Sequence, residues 1–65
     1  MRFKLEIVCD NAAFEDDPRQ EVSRILSDVA ADMPDHGLNG AVTGFAVNVR
    51  DINGNTVGEY SFSDE

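Results

Sequence analysis

The sequence predicts an α+β domain of order β-α-β-β, in which a three-stranded antiparallel sheet of order 1-3-2 carries one helix packed on one face. Three observations predict it. Residues 2–9 alternate between apolar and polar, residues 22–33 repeat at helical spacing, and Asn53-Gly54 sits between two alternating segments.

The first strand spans Arg2 to Cys9. Phe3, Leu5, Ile7 and Cys9 share one face, and Arg2, Lys4, Glu6 and Val8 share the other. Asp10-Asn11 is turn chemistry and ends the strand. A loop from Asn11 to Asp16 follows, with Phe14 expected to anchor it to the core. Asp17-Pro18 starts the helix: Asp17 accepts a backbone N–H as N-cap, and Pro18 suits the first helical position. Glu21 is close enough to that end to complement the helix dipole. Val22, Ile25, Leu26, Val29, Ala30 and Met33 then form one amphipathic stripe. Pro34 stops the helix, and Asp35-His36-Gly37-Leu38-Asn39-Gly40 reads as a loop.

The second strand runs from Ala41 to Arg50 and the third from Thr56 to Phe62. Asn53-Gly54 predicts a two-residue type I′ turn with Ile52 opposite Asn55. Phe45 then meets Phe62, Val47 meets Tyr60 and Val49 meets Gly58. A slip of one residue would set Val47 against Ser61 and scatter the apolar face. Turn and pattern agree on one register. Ser63-Asp64-Glu65 reads as a frayed tail. If the helix returns the chain so that strands one and two run the same way, only a central third strand makes the sheet all-antiparallel.

With 65 residues the chain forms one domain. Folding at that size buries roughly 60% of the surface the unfolded chain exposes, so the core is thin and a partner is expected on the outside. The hydrophobic fraction, 42%, is that of a folded domain. Charge is the unusual quantity: thirteen Asp and Glu against five Lys and Arg, a net charge of −8. Such a chain repels nucleic acid and anionic lipid, and it attracts a partner with a basic groove. Cys9 stands alone, so no intramolecular disulfide forms. No stretch approaches the roughly 20 apolar residues of a membrane span, and the alternating N-terminus is not a signal-peptide core. The expected location is the cytosol.

Catalytic chemistry finds no purchase. His36 is the only histidine and lies in a loop, with no partner to orient the ring. Cys9 on an apolar strand face reads as a packed thiol with acidic sequence neighbours, not as a nucleophile. Asp51-Ile52-Asn53-Gly54-Asn55 resembles a calcium loop only superficially. The EF-hand pattern needs Gly sixth and Glu twelfth, whereas here Gly54 is fourth and Phe62 twelfth. Glu15-Asp16-Asp17 complements a helix start more simply than it holds a cation. Gly37, Gly40 and Gly44 match no phosphate-cradling pattern. No catalytic residue, metal or cofactor is expected.

What remains is the acidic surface, and it is uneven. Between Asp10 and Asp35 eight acids face two arginines, so that segment holds −6 of the −8. Asp28 and Asp32 are one helical turn apart, with Glu21 two turns before Asp28 on the same expected solvent face. Like charges at that spacing cost a few tenths of a kcal/mol. Charge alone reads first as a solubility coat. The sharper reading is mimicry of nucleic acid, because carboxylates about 6 Å apart on a helix resemble successive phosphates of a DNA strand.

The stretches Lys4-Leu5-Glu6-Ile7-Val8-Cys9-Asp10-Asn11-Ala12-Ala13-Phe14, Arg24-Ile25-Leu26 and Asp51-Ile52-Asn53-Gly54-Asn55-Thr56-Val57-Gly58 resemble a family of very small phage and prophage proteins. The resemblance covers most of the chain. Its most specific parts are Asp-Asn-Ala-Ala-Phe and Asp-Ile-Asn-Gly-Asn. Size, acidity and layout are also similar to phage-encoded anti-CRISPR proteins acting on type I-C systems. That resemblance implies an acidic decoy that binds the PAM-reading large subunit of the Cascade complex and blocks target DNA binding. It carries over no catalytic or ligand-binding residue.

Charge pattern and resemblance together lead us to expect a monomer in a bacterial host cell that meets its partner through Glu15, Asp16, Asp17, Glu21, Asp28 and Asp32, with Asp35 flanking. The alternative is a small phage accessory or structural protein that docks through a sheet edge. Strands one and two are the expected edges, and exposed Arg2 and Lys4 discourage pairing at the first.

Overall fold

Alternation at the N-terminus does produce a strand, but a shorter one than its pattern suggests. A computed structural model of the chain describes residues 1–35 and 42–64. The first strand, β1, spans Arg2–Ile7. Cys9 falls beyond it and is exposed, with its Sγ 3.8 Å from the Ile7 carbonyl. The expected packed thiol is therefore corrected to a surface one. The chain leaves the strand early because Asn11 caps a 3-10 turn over Ala12–Phe14, accepting the Ala13 N–H at 3.1 Å. That turn drives Phe14 inward, where it is 3% exposed, as its expected anchoring role requires.

Helix α1 spans Pro18–Asp32. Asp17 is its N-cap, in extended backbone, and accepts the Arg19 N–H at 3.1 Å. Pro18 occupies the first turn, where its missing N–H costs nothing. A 3-10 turn over Met33–Asp35 follows the helix. The buried row is Glu21, Ile25 and Val29, flanked by half-buried Val22 and Met33. Leu26 is 46% exposed and Ala30 is exposed, so the stripe is narrower than expected and rolled toward Glu21.

Strand β2 spans Ala46–Arg50 and β3 spans Thr56–Ser63. The sheet order is β1-β3-β2, with β3 antiparallel to both neighbours. β2 begins later than expected. Gly44 has φ +92°, a left-handed conformation that interrupts an extended chain. Phe45 lies outside the strand, and Thr43, not Phe45, bridges to Phe62. The expected loop through His36, Gly37, Leu38, Asn39 and Gly40 lies outside the described residues, as do Ala41 and Glu65. At the other end Ser63 pairs with Arg2, so β3 outlasts its expected limit at Phe62.

The hairpin corrects the turn while keeping the register. Val47 opposes Tyr60 and Val49 opposes Gly58, as the apolar pattern demands. The turn, however, is not a two-residue type I′. A two-residue turn would pair Ile52 with Asn55, whereas the Ile52 N–H turns to Glu21 and Gly54 takes φ +85°. The Gly54 N–H bonds to the Asp51 carbonyl at 3.0 Å, and the Asp51 N–H to the Asn55 carbonyl at 2.9 Å. The loop is thus Ile52-Asn53-Gly54, a three-residue connection closed by a left-handed glycine. Three loop residues would offset the pairing by one. A bulge compensates: Arg50 pairs with Thr56 while Val49 pairs with Gly58, which leaves Val57 as the extra residue.

Phe14, Ile25, Val29, Val49, Val57 and Tyr60 form the core between α1 and the sheet. Each such side chain taken fully out of water stabilises the fold by about 1.5–3 kcal/mol. Phe3 stacks at the margin, its ring centroid 5.0 Å from Phe62 and 6.0 Å from Tyr60. Gly58 lets β1 close on β3, because a Cβ there would collide with the Glu6 carbonyl oxygen. No helix among the described residues is long and apolar enough to cross a membrane.

Candidate functional site

Helical geometry turns 100° per residue, so Glu21, Arg24, Asp28 and Asp32 all project within one stripe of α1. The expected acidic row is therefore present on one side of the helix, but a cation sits in its middle. Arg24 grips Glu21 with two parallel bonds, Nε to Oε1 at 2.8 Å and Nη2 to Oε2 at 3.1 Å. Its Nη1 reaches Asp28 Oδ2 at 2.7 Å, and its Nη2 lies 3.4 Å from the Arg50 carbonyl. One guanidinium thus joins two turns of the helix to the end of β2. Such forked pairs are stronger than neutral hydrogen bonds.

Glu21 is the residue whose expected place on the solvent face the structure overturns. It is 8% exposed, and its Oε2 also accepts the Ile52 N–H at 2.9 Å. The Arg24 bond holds its carboxyl below the ordinary range, overcoming the opposing effect of burial, and the Ile52 N–H and the Arg24 charge add to it. A buried carboxylate committed to Arg24 and a loop amide cannot meet a partner. It ties the hairpin to the helix instead.

Asp51 does the same work from within the hairpin, and nothing in its charge distinguished it beforehand. It is 4% exposed. Its Oδ1 accepts the N–H groups of Asn53 and Asn55, both at 2.9 Å. Its Oδ2 accepts Asn11 Nδ2 at 2.6 Å and Asn55 Nδ2 at 3.3 Å. Burial pushes its pKa up, but the donors from Asn55, Asn11 and Asn53 outweigh burial and hold the carboxyl below its usual value. The local part of this network is legible in Asp-x-Asn, an acid that bonds its own turn. The bond from Asn11, forty residues earlier in the chain, is not.

The other expected site residues separate into two patches. Glu15 and Asp16 are exposed just before α1, beside Asp17, whose cap oxygen lies 3.6 Å from Arg19 Nε. Asp28, with its side chain 66% exposed, and exposed Asp32 stand about 16 and 22 Å farther along the axis, counting the helical rise from Asp17. Asp35 closes the 3-10 turn after the helix. Among the described residues no group of three His, Cys, Asp or Glu side chains is placed to hold a metal ion.

Asp28 and Asp32 also border an open groove of about 280 Å³ between α1 and β2. Ile25, Val29, Val47, Val49 and Tyr60 give it an apolar floor, and Asn48 and Arg50 continue its β2 wall. Burial and then the nearby Asp32 charge raise the pKa of the Tyr60 phenol. Sequence reading placed Asp28 and Asp32 on the helix surface but not at the edge of a groove. The closeness of β2 is a tertiary fact. No protein family matches the chain, and neither a curated protein nor a solved structure matches it.

Proposed function

We propose that the chain is a phage-encoded inhibitor that binds through its acidic helix to a basic, DNA-binding protein surface, and that this surface is the PAM-reading large subunit of type I-C Cascade. The observation that carries this reading is the pair Asp28 and Asp32. They are exposed, held on a rigid helix, and one turn apart, about 6 Å by the helical rise. Glu15 and Asp16 extend the negative surface at the other end of the helix. Glu21 is excluded from the contact, since Arg24 and the Ile52 amide already occupy it. The net charge of −8 speeds encounter with a cationic partner and makes it sensitive to salt. The similarity of size, acidity and β-α-β-β layout to anti-CRISPR proteins acting on type I-C systems directs the choice of partner.

The test is competition between this chain and labelled target DNA for purified type I-C Cascade. The expected result is mutual exclusion that weakens as salt rises. Reversing the pair, Asp28→Lys with Asp32→Lys, is expected to lower affinity by at least about tenfold while the circular dichroism spectrum is kept, in line with the loss of close charge pairs at an interface. Tight simultaneous binding of chain and DNA would overturn the reading.

A further inference from the structure

Four consecutive residues of β2, Val47 to Arg50, line the groove beside Asp28 and Asp32. Side chains of a strand alternate between faces, so a surface lined by every one of them runs along the strand's edge and exposes its backbone. β2 is an edge strand: it pairs with β3 alone in the sheet. The opposite wall is the row Ile25, Asp28, Val29 and Asp32 of α1. That row covers about 10 Å of helix, and four strand residues cover nearly the same length. The groove is thus a backbone edge with an apolar floor and an acidic rim parallel to it, occupied among the described residues only at its Arg50 end, where Arg24 Nη2 lies 3.4 Å from the carbonyl.

We propose that this edge accepts an extended, basic segment of a partner protein as a fourth strand, with Lys or Arg at alternate positions meeting Asp28 and Asp32. Spacing and charge both select that occupant. Side chains on one face of a strand recur every 6.4–6.8 Å or so, close to the roughly 6 Å between carboxylates one helical turn apart. Backbone bonds to the edge supply affinity, and alternate side chains supply specificity. Asp32 carries more of the recognition than Asp28. Arg24 already bonds Asp28, whereas Asp32 makes no ion pair among the described residues. Arg50 is turned away toward the hairpin, its Nη1 donating to the Gly54 carbonyl at 3.1 Å. A second copy of the chain is a poor occupant, because it brings another −8. The proposal rests on the reading that the partner is cationic. It does not require that partner to be a CRISPR effector.

The experiment uses the full chain and three synthetic peptides of equal charge: one alternating lysine with valine, one with the same residues in two blocks, and the alternating one N-methylated at every second amide. The alternating peptide is expected to bind and to protect from hydrogen exchange those amides of Val47–Arg50 that face away from β3. The block and N-methylated peptides are expected to bind at least roughly tenfold more weakly, and Asp32→Asn to weaken the alternating peptide similarly. Equal binding of all three peptides, or protection at β1 in place of β2, would overturn the proposal. So would dimerisation of the peptide-free chain through β2. Cascade competition is measured separately, so failure of the groove and failure of the inhibitor reading give different results.

Discussion

Glu21 and Asp51 are acids in a molecule crowded with acids, yet each is buried and satisfied by donors from distant parts of the chain. Their carboxyls sit below ordinary values of 4.5 and 3.8, so the folded state releases these protons more readily than the unfolded one. Their stabilisation is complete above those values and is lost as pH falls through the lower, folded ones. Acid titration of the melting temperature is expected to show a fall that begins near pH 4.5, and Glu21→Gln with Asp51→Asn is expected to flatten it and lower the melting temperature at neutral pH. Tyr60 has the opposite sign. Its phenol is raised above 10.0, so its contribution is full below that pH and is lost as pH climbs through the folded value. Ultraviolet titration is expected to place Tyr60 above 10.0, and Asp32→Asn to bring it only part of the way back, since burial is the larger cause. Gly58 gives the sharpest steric prediction. Gly58→Ala drives a Cβ into the Glu6 carbonyl and is expected to cost about 2–4 kcal/mol in denaturant unfolding.

At the scale of elements, α1 was legible almost to the residue. Asp17 and Pro18 mark its start by local chemistry, and local chemistry is what a sequence displays. Asp17→Ala is expected to lower stability by about 1 kcal/mol in the same unfolding measurement. Which side of the helix faces inward was less legible. The pattern nominated Leu26 and Ala30, but Glu21 is buried in their stead because Arg24 neutralises it. A hint was present, since Arg24 is three residues after Glu21 and four before Asp28, the spacings at which helical side chains meet. The β2–β3 register was readable from apolar alternation and the strand order from the need for an all-antiparallel sheet, while the loop type was not. Asn53-Gly54 is compatible with both a two-residue and a three-residue hairpin, and the choice rests on Asp51 bonding the amides of Asn53 and Asn55 and on the bulge at Val57. Gly54→Ala places a side chain at φ +85° and is expected to cost roughly 1–2 kcal/mol without altering the register, which amide chemical shifts of β3 would report.

Across the whole molecule, sequence reading anticipated an acidic surface and one stripe of α1 that carries it, but treated the carboxylates as equivalent. They divide into structural acids turned inward, Glu21 and Asp51, and surface acids left for solvent or a partner; loop donors enclose the first two, and Arg24 bonds one acid of each kind, Glu21 and Asp28. Arg24 consequently sets a limit on how this protein can evolve. Replacing it by a neutral residue would deepen the negative field along α1, the direction in which a stronger polyanion imitator would drift. The same change would strand Glu21 in the interior without its counterion and free the hairpin tip from the helix. Variants at this position are thus expected to exchange robustness for negative charge, and on the proposed reading gains in binding arise instead from new acids on the exposed surface around Glu15, Asp16 and Asp32, where added charge disturbs no internal bond.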